Sequence, residues 1–153
     1  MIVQLTELEL ALATFVAEQR NAAGRAAGAD AAKYGYSGSQ FDLHLQGCLG
    51  ELAFAKGTGR YWSGAGCDYH SDDDVGHIQV RTSKLPHGHL LVRPTEGHED
   101  KPWVLVVGEF PTFHVIGWCF GREAKREEWL RSPNGRPPAY FVPQKSLRPV
   151  LER

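Results

Sequence analysis

The segment Asp74-Val-Gly-His-Ile-Gln-Val-Arg-Thr-Ser83 follows an acidic run and then alternates apolar with polar residues. Alternation with a period of two predicts a β-strand with one buried face. The apolar residues of the segment then face the core, while Gln79 and Arg81 share the opposite face and Asp74 lies at the mouth of the strand. An acid, an amide and a guanidinium are therefore expected to meet at one strand end.

A first helix is predicted near the N-terminus. Thr6 and Glu9 form a capping-box pattern, which satisfies backbone donors in the first helical turn. This helix is expected from about residue 5 to the low twenties. The apolar residues that recur at helical spacing, and that are expected to form its buried stripe, are Leu8, Leu12, Phe15 and Val16.

A second helix carries the candidate acid Glu51. A serine cap at Ser39 precedes apolar residues at helical spacing, and the helix is expected to reach Lys56 before a pair of glycines. A glycine inside a helix is less favourable than alanine by about 1 kcal/mol. Gly47 and Gly50 therefore indicate that a strand packs closely against this helix.

The remaining pattern is mostly strands. They are expected at about residues 77 to 83, 89 to 93, 103 to 109, 113 to 119 and Ala139 to Val142, with a short strand at Arg60 to Ser63 and a third helix at about 122 to 131. Turn residues at Pro86 to Gly88 and at Pro111 suggest hairpins. The order predicts one α+β domain over residues 1 to 153, with a central mixed, largely antiparallel sheet flanked by helices and an N-terminal helical extension of about residues 1 to 36.

Composition limits the classes of protein to consider. The 153 residues, of which 42% are hydrophobic, are enough to bury the core of one domain. Three widely spaced cysteines suit reduced thiols, which predicts a cytoplasmic location. No apolar run is long enough to span a bilayer, so no membrane partner is expected. Residues 122 to 153 hold eight Lys or Arg against four Asp or Glu, which suits either a phosphate-facing edge or an ordinary solvated surface.

The helix acid and the strand residues together resemble the active-site pattern of the PD-(D/E)XK nuclease superfamily. Gly47-Cys-Leu-Gly-Glu51-Leu-Ala matches its helix element, Asp74 its acid, and Gln79-Val80-Arg81 its strand triplet. The resemblance covers roughly residues 39 to 119, and the layout is similar to small nuclease-like proteins of phage and prophage genomes.

This resemblance implies a restriction-endonuclease-like core and a hydrolase, an endonuclease or exonuclease, that cuts DNA phosphodiester bonds with Mg²⁺ or Mn²⁺. The metal ligands would be Glu51, Asp74, Gln79 and the carbonyl of Val80, and Arg81 would bind the scissile phosphate. His44 and Lys84 are candidates for contacts to substrate phosphates.

The strand triplet departs from the family pattern at two positions. Gln79 replaces an acid and brings no negative charge, so affinity for Mg²⁺ should fall. Arg81 replaces a lysine and stays protonated, so it cannot act as a general base, although it can hold a phosphate. Water activation would then depend on the metal.

Several alternatives stay open. The same fold without catalysis would give an accessory protein that binds nucleic acid or a protein partner, and a third class is a structural or regulatory protein; a homodimer is compatible with each. Cys67 and His70 with nearby histidines suggest a zinc site, but their spacing matches no closed set of four ligands. No nucleophile elbow, P-loop or dinucleotide fingerprint occurs. Aromatic residues that could stack on bases are Tyr34, Tyr36, Tyr61 and Trp62.

Overall fold

The computed structural model describes residues 1–28, 38–64 and 73–150. In this part of the chain the strands are β1 (Ile2–Gln4), β2 (Gln79–Ser83), β3 (Leu90–Val92), β4 (Pro102–Glu109), β5 (Thr112–Phe120), β6 (Leu130–Arg131) and β7 (Ala139–Val142). The helices are α1 (Glu7–Ala26), α2 (Gln40–Thr58) and the short α3 (Gly121–Ala124).

The strands form two sheets. The larger has the order β1-β5-β4-β2, in which β2 runs parallel to β4 and the other two pairs are antiparallel. The smaller sheet, of order β3-β7-β6, is antiparallel throughout. The predicted α+β class with a mixed sheet is confirmed, whereas the second sheet was not expected. Strand β2 lies at the edge of the larger sheet and has β4 as its one strand neighbour among the described residues.

Two apolar cores cover opposite faces of the larger sheet. One lies between α2 and the face that carries Val80, Val104 and Val106. The other lies between the face that carries Trp103 and Leu105 and the smaller sheet. Both long helices are therefore on the same side of the sheet, and the smaller sheet takes the place of the helices expected on the other side.

The predicted cap of α1 is confirmed, but its predicted apolar stripe is correct at Val16 alone and wrong at its other three residues. Thr6 accepts a hydrogen bond from the Glu9 amide, and the Glu9 carboxylate accepts one from the Thr6 amide. Leu8, Leu12 and Phe15 are 80%, 49% and 60% exposed. The buried face is made instead of small or slightly polar residues: Ala13, Val16, Ala17, Asn21 and Gly24. Small residues allow α1 to pack closely on α2, which leaves the larger side chains outside.

The close approach of a strand to α2 is confirmed at one of the two glycines. A Cβ built on Gly50 would lie 1.8 Å from Thr82 Oγ1 and 2.8 Å from Thr82 Cβ, so strand β2 leaves no room for a side chain. A Cβ on Gly47 would have no atom within 4 Å. Gly50 therefore sets the distance between α2 and β2, and Gly47 does not.

Four other expectations differ from the structure. The third helix ends at Ala124, because the chain turns there and Leu130–Arg131 pairs with β7. Residues 60–63 form no strand. The Pro86 to Gly88 turn does not join a hairpin, since β2 and β3 belong to different sheets. Strand β1 was not expected, because three residues are too few to show an alternating pattern in the sequence. This strand forms because it pairs with β5.

We expect Gly50→Ala to lower the free energy of unfolding by about 1–3 kcal/mol, because the new methyl group overlaps Thr82. Gly47→Ala is the matched control in the same helix, and it should raise stability by about 0.5–1 kcal/mol because the site is open. Urea unfolding followed by circular dichroism measures both. Equal effects of the two substitutions would contradict this packing of α2 on β2.

Candidate functional site

Glu51 is buried on α2 in a bidentate ion pair with Arg20 of α1. Arg20 Nη1 and Nη2 donate to Glu51 Oε1 and Oε2 at 2.6 and 2.8 Å. Trp62 Nε1 also donates to Glu51 Oε2, at 2.9 Å. Both carboxylate oxygens are thus satisfied by side chains, and the indole that was a candidate for base stacking is instead buried against this acid.

The environment of Glu51 has opposing effects on its charge. Burial raises the pKa of Glu51, the hydrogen bonds from Arg20 act in the opposite direction, and the nearby Asp74 carboxylate raises it further. The net pKa of Glu51 is raised. For Arg20, burial disfavours the charged form, but the bonds to Glu51 outweigh it and the net pKa is raised. The guanidinium therefore stays charged and is attracted to both acids.

Asp74 lies at the edge of β2, next to Val80. Its Oδ2 accepts a hydrogen bond from the Val80 amide at 2.7 Å. Burial raises the pKa of Asp74, and this outweighs the opposing effects of Arg81, the Val80 amide and Arg20. Because Arg20 and Glu51 both interact electrostatically with Asp74, the two acids belong to one charged cluster.

Arg81 is held by several contacts. Its Nη2 donates to Glu96 Oε1 at 2.7 Å, and its guanidinium stacks 4.6 Å from the ring centroid of Trp103. Its Nη1 lies 3.3 Å from the Val80 carbonyl oxygen and 3.8 Å from Asp74 Oδ2. A cationic nitrogen is thus already positioned between a carboxylate and a carbonyl oxygen at the edge of β2.

The predicted constellation is divided between two faces of β2. Val80 and Thr82 face α2, the helix that carries Glu51. Alternation along the strand places Gln79 and Arg81 on the other face, against the core that contains Trp103. Gln79 is buried there. Asp74 lies at the edge of β2 and interacts with Arg20 on one side of the sheet and with Arg81 on the other. Glu51 and Gln79 lie on opposite sides of the strand and do not meet at one site.

These donors fit a hard divalent cation only in part. The Asp74 carboxylate and the Val80 carbonyl flank one point, and Mg²⁺ is commonly held by one or two carboxylates with waters and substrate phosphates completing its shell. Glu51 is already engaged by Arg20, and Gln79 faces away. Within residues 1–28, 38–64 and 73–150, no three His, Cys, Asp or Glu side chains are grouped to bind a metal.

The two predicted substrate contacts lie apart from each other. His44 is near Arg20, and burial followed by the Arg20 charge lowers its pKa. The buried His44 Nε2 has no hydrogen-bond partner among the described residues. Lys84 follows the far end of β2 and pairs with Glu109 at 3.4 Å. His44 therefore borders the charged cluster, and Lys84 does not.

The remaining candidates are partly outside the described residues. Cys67, His70, Tyr34 and Tyr36 lie outside the described residues. Tyr61 is exposed. Four of the seven described basic residues of the C-terminal segment form ion pairs, which are Arg122–Asp100, Lys125–Glu99, Arg126–Glu128 and Arg148–Glu123. These pairs favour the solvated-surface interpretation of the segment over a phosphate-facing edge.

Three residues of the cluster were not predicted from the sequence. Arg20 lies on the same face of α1 as the buried Ala13, Val16 and Ala17. A charged residue on a buried helix face indicates a buried partner of opposite charge, so the sequence held a signal for this ion pair. Trp62 was considered only as a stacking residue. Glu96 lies in a loop, and its role depends on a contact across fifteen positions that no local pattern reveals.

Asp74→Asn should stabilise the protein at neutral pH. The folded pKa of Asp74 is raised, so its ionised form is less favourable in the fold than in the unfolded chain. The asparagine oxygen can still accept from the Val80 amide. This gain in the free energy of unfolding should shrink as the pH falls through the pKa that Asp74 has in the folded protein. It should vanish below about pH 3.8, where the Asp74 carboxyl is protonated in the unfolded chain as well.

Urea unfolding at several pH values measures this effect, and Asp100→Asn is the control because Asp100 is exposed. A loss of stability in Asp74→Asn that does not change with pH would contradict a burial penalty at this site.

The chain gives no match to protein-family models, to curated proteins or to solved structures. None of the described helices has the length and apolar character needed to cross a membrane. The assignment of a function therefore depends on the chain's own residues and their geometry.

Proposed function

We propose that this protein is a nuclease-like hydrolase of DNA phosphodiester bonds that depends on Mg²⁺ or Mn²⁺. The observation that carries the proposal is the edge of β2, where Asp74 Oδ2 and the Val80 carbonyl oxygen lie 3.8 and 3.3 Å from one cationic nitrogen. That nitrogen belongs to Arg81. If Arg81 turns to a phosphate, the two oxygens that it now contacts suit a divalent cation beside that phosphate.

In this proposal Asp74 and the Val80 carbonyl would hold the cation, which when bound would supply the activation of water. Arg81 moves from its contacts with these oxygens to a phosphate oxygen and offsets the charge that develops there. Its stacking on Trp103 and its bond to Glu96 limit the directions in which it can move. Because arginine stays protonated, Arg81 binds the phosphate and removes no proton.

Glu51 has a different role from the metal ligand that the family pattern implies. Its two oxygens are engaged by Arg20 and Trp62, so it positions Arg20 beside Asp74. Arg20 then compensates part of the negative charge of Asp74. Gln79 is on the other face and takes no part in binding the cation.

A second candidate is a catalytically inactive accessory protein of the same fold that binds nucleic acid or a protein. The observation that favours it is that internal arginines already contact both acids. A protein whose acids are neutralised by its own side chains has less electrostatic need for a divalent ion.

The two candidates differ in one assay. The protein is incubated with supercoiled, linear and single-stranded DNA in Mg²⁺ or Mn²⁺, and with a chelator. The nuclease proposal predicts that the DNA is cut and that the chelator stops the cutting. The rate of cutting should fall at least about a hundredfold in Asp74→Asn, because several kcal/mol of charge stabilisation are removed. Glu51→Gln should have a smaller effect, since it keeps an acceptor for Trp62. Glu7→Gln, at an exposed site, is the control.

Intact DNA in both metals, together with binding that weakens as salt increases and needs no metal, would support the accessory protein instead. Neither cutting nor binding of DNA would contradict both the nuclease and an accessory protein that binds DNA, and would favour a protein-binding accessory or a structural or regulatory protein.

A further inference from the structure

A pocket of about 470 Å³ opens where α2 ends on the larger sheet. Its apolar surface comes from Phe54 of α2, Ile78, Val104 of β4 and Trp118 of β5. Val104 and Trp118 are direct neighbours across the β4–β5 pair, so they form one continuous floor. The segment Arg148–Val150 forms the opposite wall, where Arg148 pairs through its backbone with Trp118.

The pocket exists because α2 stops before the sheet does. Gly59 adopts a left-handed conformation with φ 65°, and the Arg60 amide donates to the Ala55 carbonyl at 2.8 Å, so the helix ends in a Schellman-type cap. The cap turns the chain away from the sheet and places Arg60 at the rim. Apolar sheet surface beyond Thr58 is thereby left without a helix to cover it.

The charged residues of the pocket are all basic. Arg60, His77 and Arg148 line it, and within residues 1–28, 38–64 and 73–150 no carboxylate does. Arg148 is paired with Glu123 and stacks 4.8 Å from the Trp118 ring centroid. Arg60 and His77 are exposed, and neither forms a side-chain hydrogen bond or ion pair with any described residue. Arg60 and His77 thus lie over an apolar floor, and no acid of the described residues that line the pocket faces them.

We propose that this pocket binds a small amphiphilic anion, which is a molecule with a flat apolar body and one carboxylate, sulfonate or phosphate group. The body would lie between Phe54 and Trp118, and the anionic group would contact Arg60 and His77. Pockets of this size that combine an apolar lining with a few convergent polar groups are typical of small-molecule sites. The proposal does not depend on whether the site at Asp74 cleaves DNA.

The test compares two probes that share an apolar body. 8-Anilinonaphthalene-1-sulfonate carries a sulfonate, and N-phenyl-1-naphthylamine lacks it. Fluorescence titration of the full chain should show saturable binding of the sulfonate probe to one site. The neutral probe should bind about tenfold more weakly, which corresponds to about 1.4 kcal/mol for the anionic contact.

Three variants locate the binding. Arg60→Gln should weaken the sulfonate probe about tenfold and leave the neutral probe unchanged. Val150→Trp should fill the pocket and abolish binding of both probes, with circular dichroism and thermal melting showing that it is folded. Arg131→Gln, on the distant and exposed strand β6, should change neither.

Saturable binding that responds in this way supports the proposal. The proposal is overturned if the sulfonate probe shows no saturable binding, or if Arg60→Gln binds this probe as tightly as the unaltered protein does. Binding of the probe by a folded Val150→Trp would also overturn the proposal. A chain that ends at Val150 is a further control. If this chain binds the sulfonate probe more than about tenfold more tightly than the full chain does, the last residues are the occupant of the pocket and the proposal is overturned.

Discussion

The buried ion pair between Arg20 and Glu51 decides how the rest of the site is arranged. It joins α1 to α2 with two hydrogen bonds of 2.6 and 2.8 Å, on helix faces that otherwise pack through small residues. Removing one member of such a pair commonly costs about 3–5 kcal/mol, because the other charge is left buried and alone. The pair also withdraws Glu51 from metal binding, so the chemistry proposed here is centred on Asp74 at the edge of β2.

The cluster contains two arginines and three acids, and its environment disfavours the ionised forms of Glu51 and Asp74. Burial raises the pKa values of both Glu51 and Asp74, although each acid has an arginine beside it. Charged groups kept under such a penalty are more common at functional sites than in cores that serve packing alone. At the edge of β2 the Asp74 side chain is still 23% exposed, which is consistent with a group that must meet a ligand from solvent.

The parts of the fold that the sequence predicted are those set by local chemistry. The cap at Thr6, the end of α2 near its glycines and the strand that contains Val80 all follow from neighbouring residues. The exposed Leu8 and Phe15 could not be predicted from spacing, because small residues on the adjacent face pack against α2 instead. The second sheet depends on pairing between distant segments. The separation of Glu51 from Gln79 follows from the same alternation once α2 is known to cover the face that carries Val80, but the sequence does not show which face α2 covers.

The central claim is that Glu51 and Asp74 share one electrostatic site. The most direct test is the pKa of Glu51, measured by carbon NMR of its side-chain carboxyl group in the unaltered protein, in Asp74→Asn and in Asp100→Asn. The Asp74 carboxylate contributes to the raised pKa of Glu51, so that pKa should fall in Asp74→Asn and stay the same in Asp100→Asn. An unchanged pKa of Glu51 in Asp74→Asn would mean that the two acids do not interact, and would contradict the account.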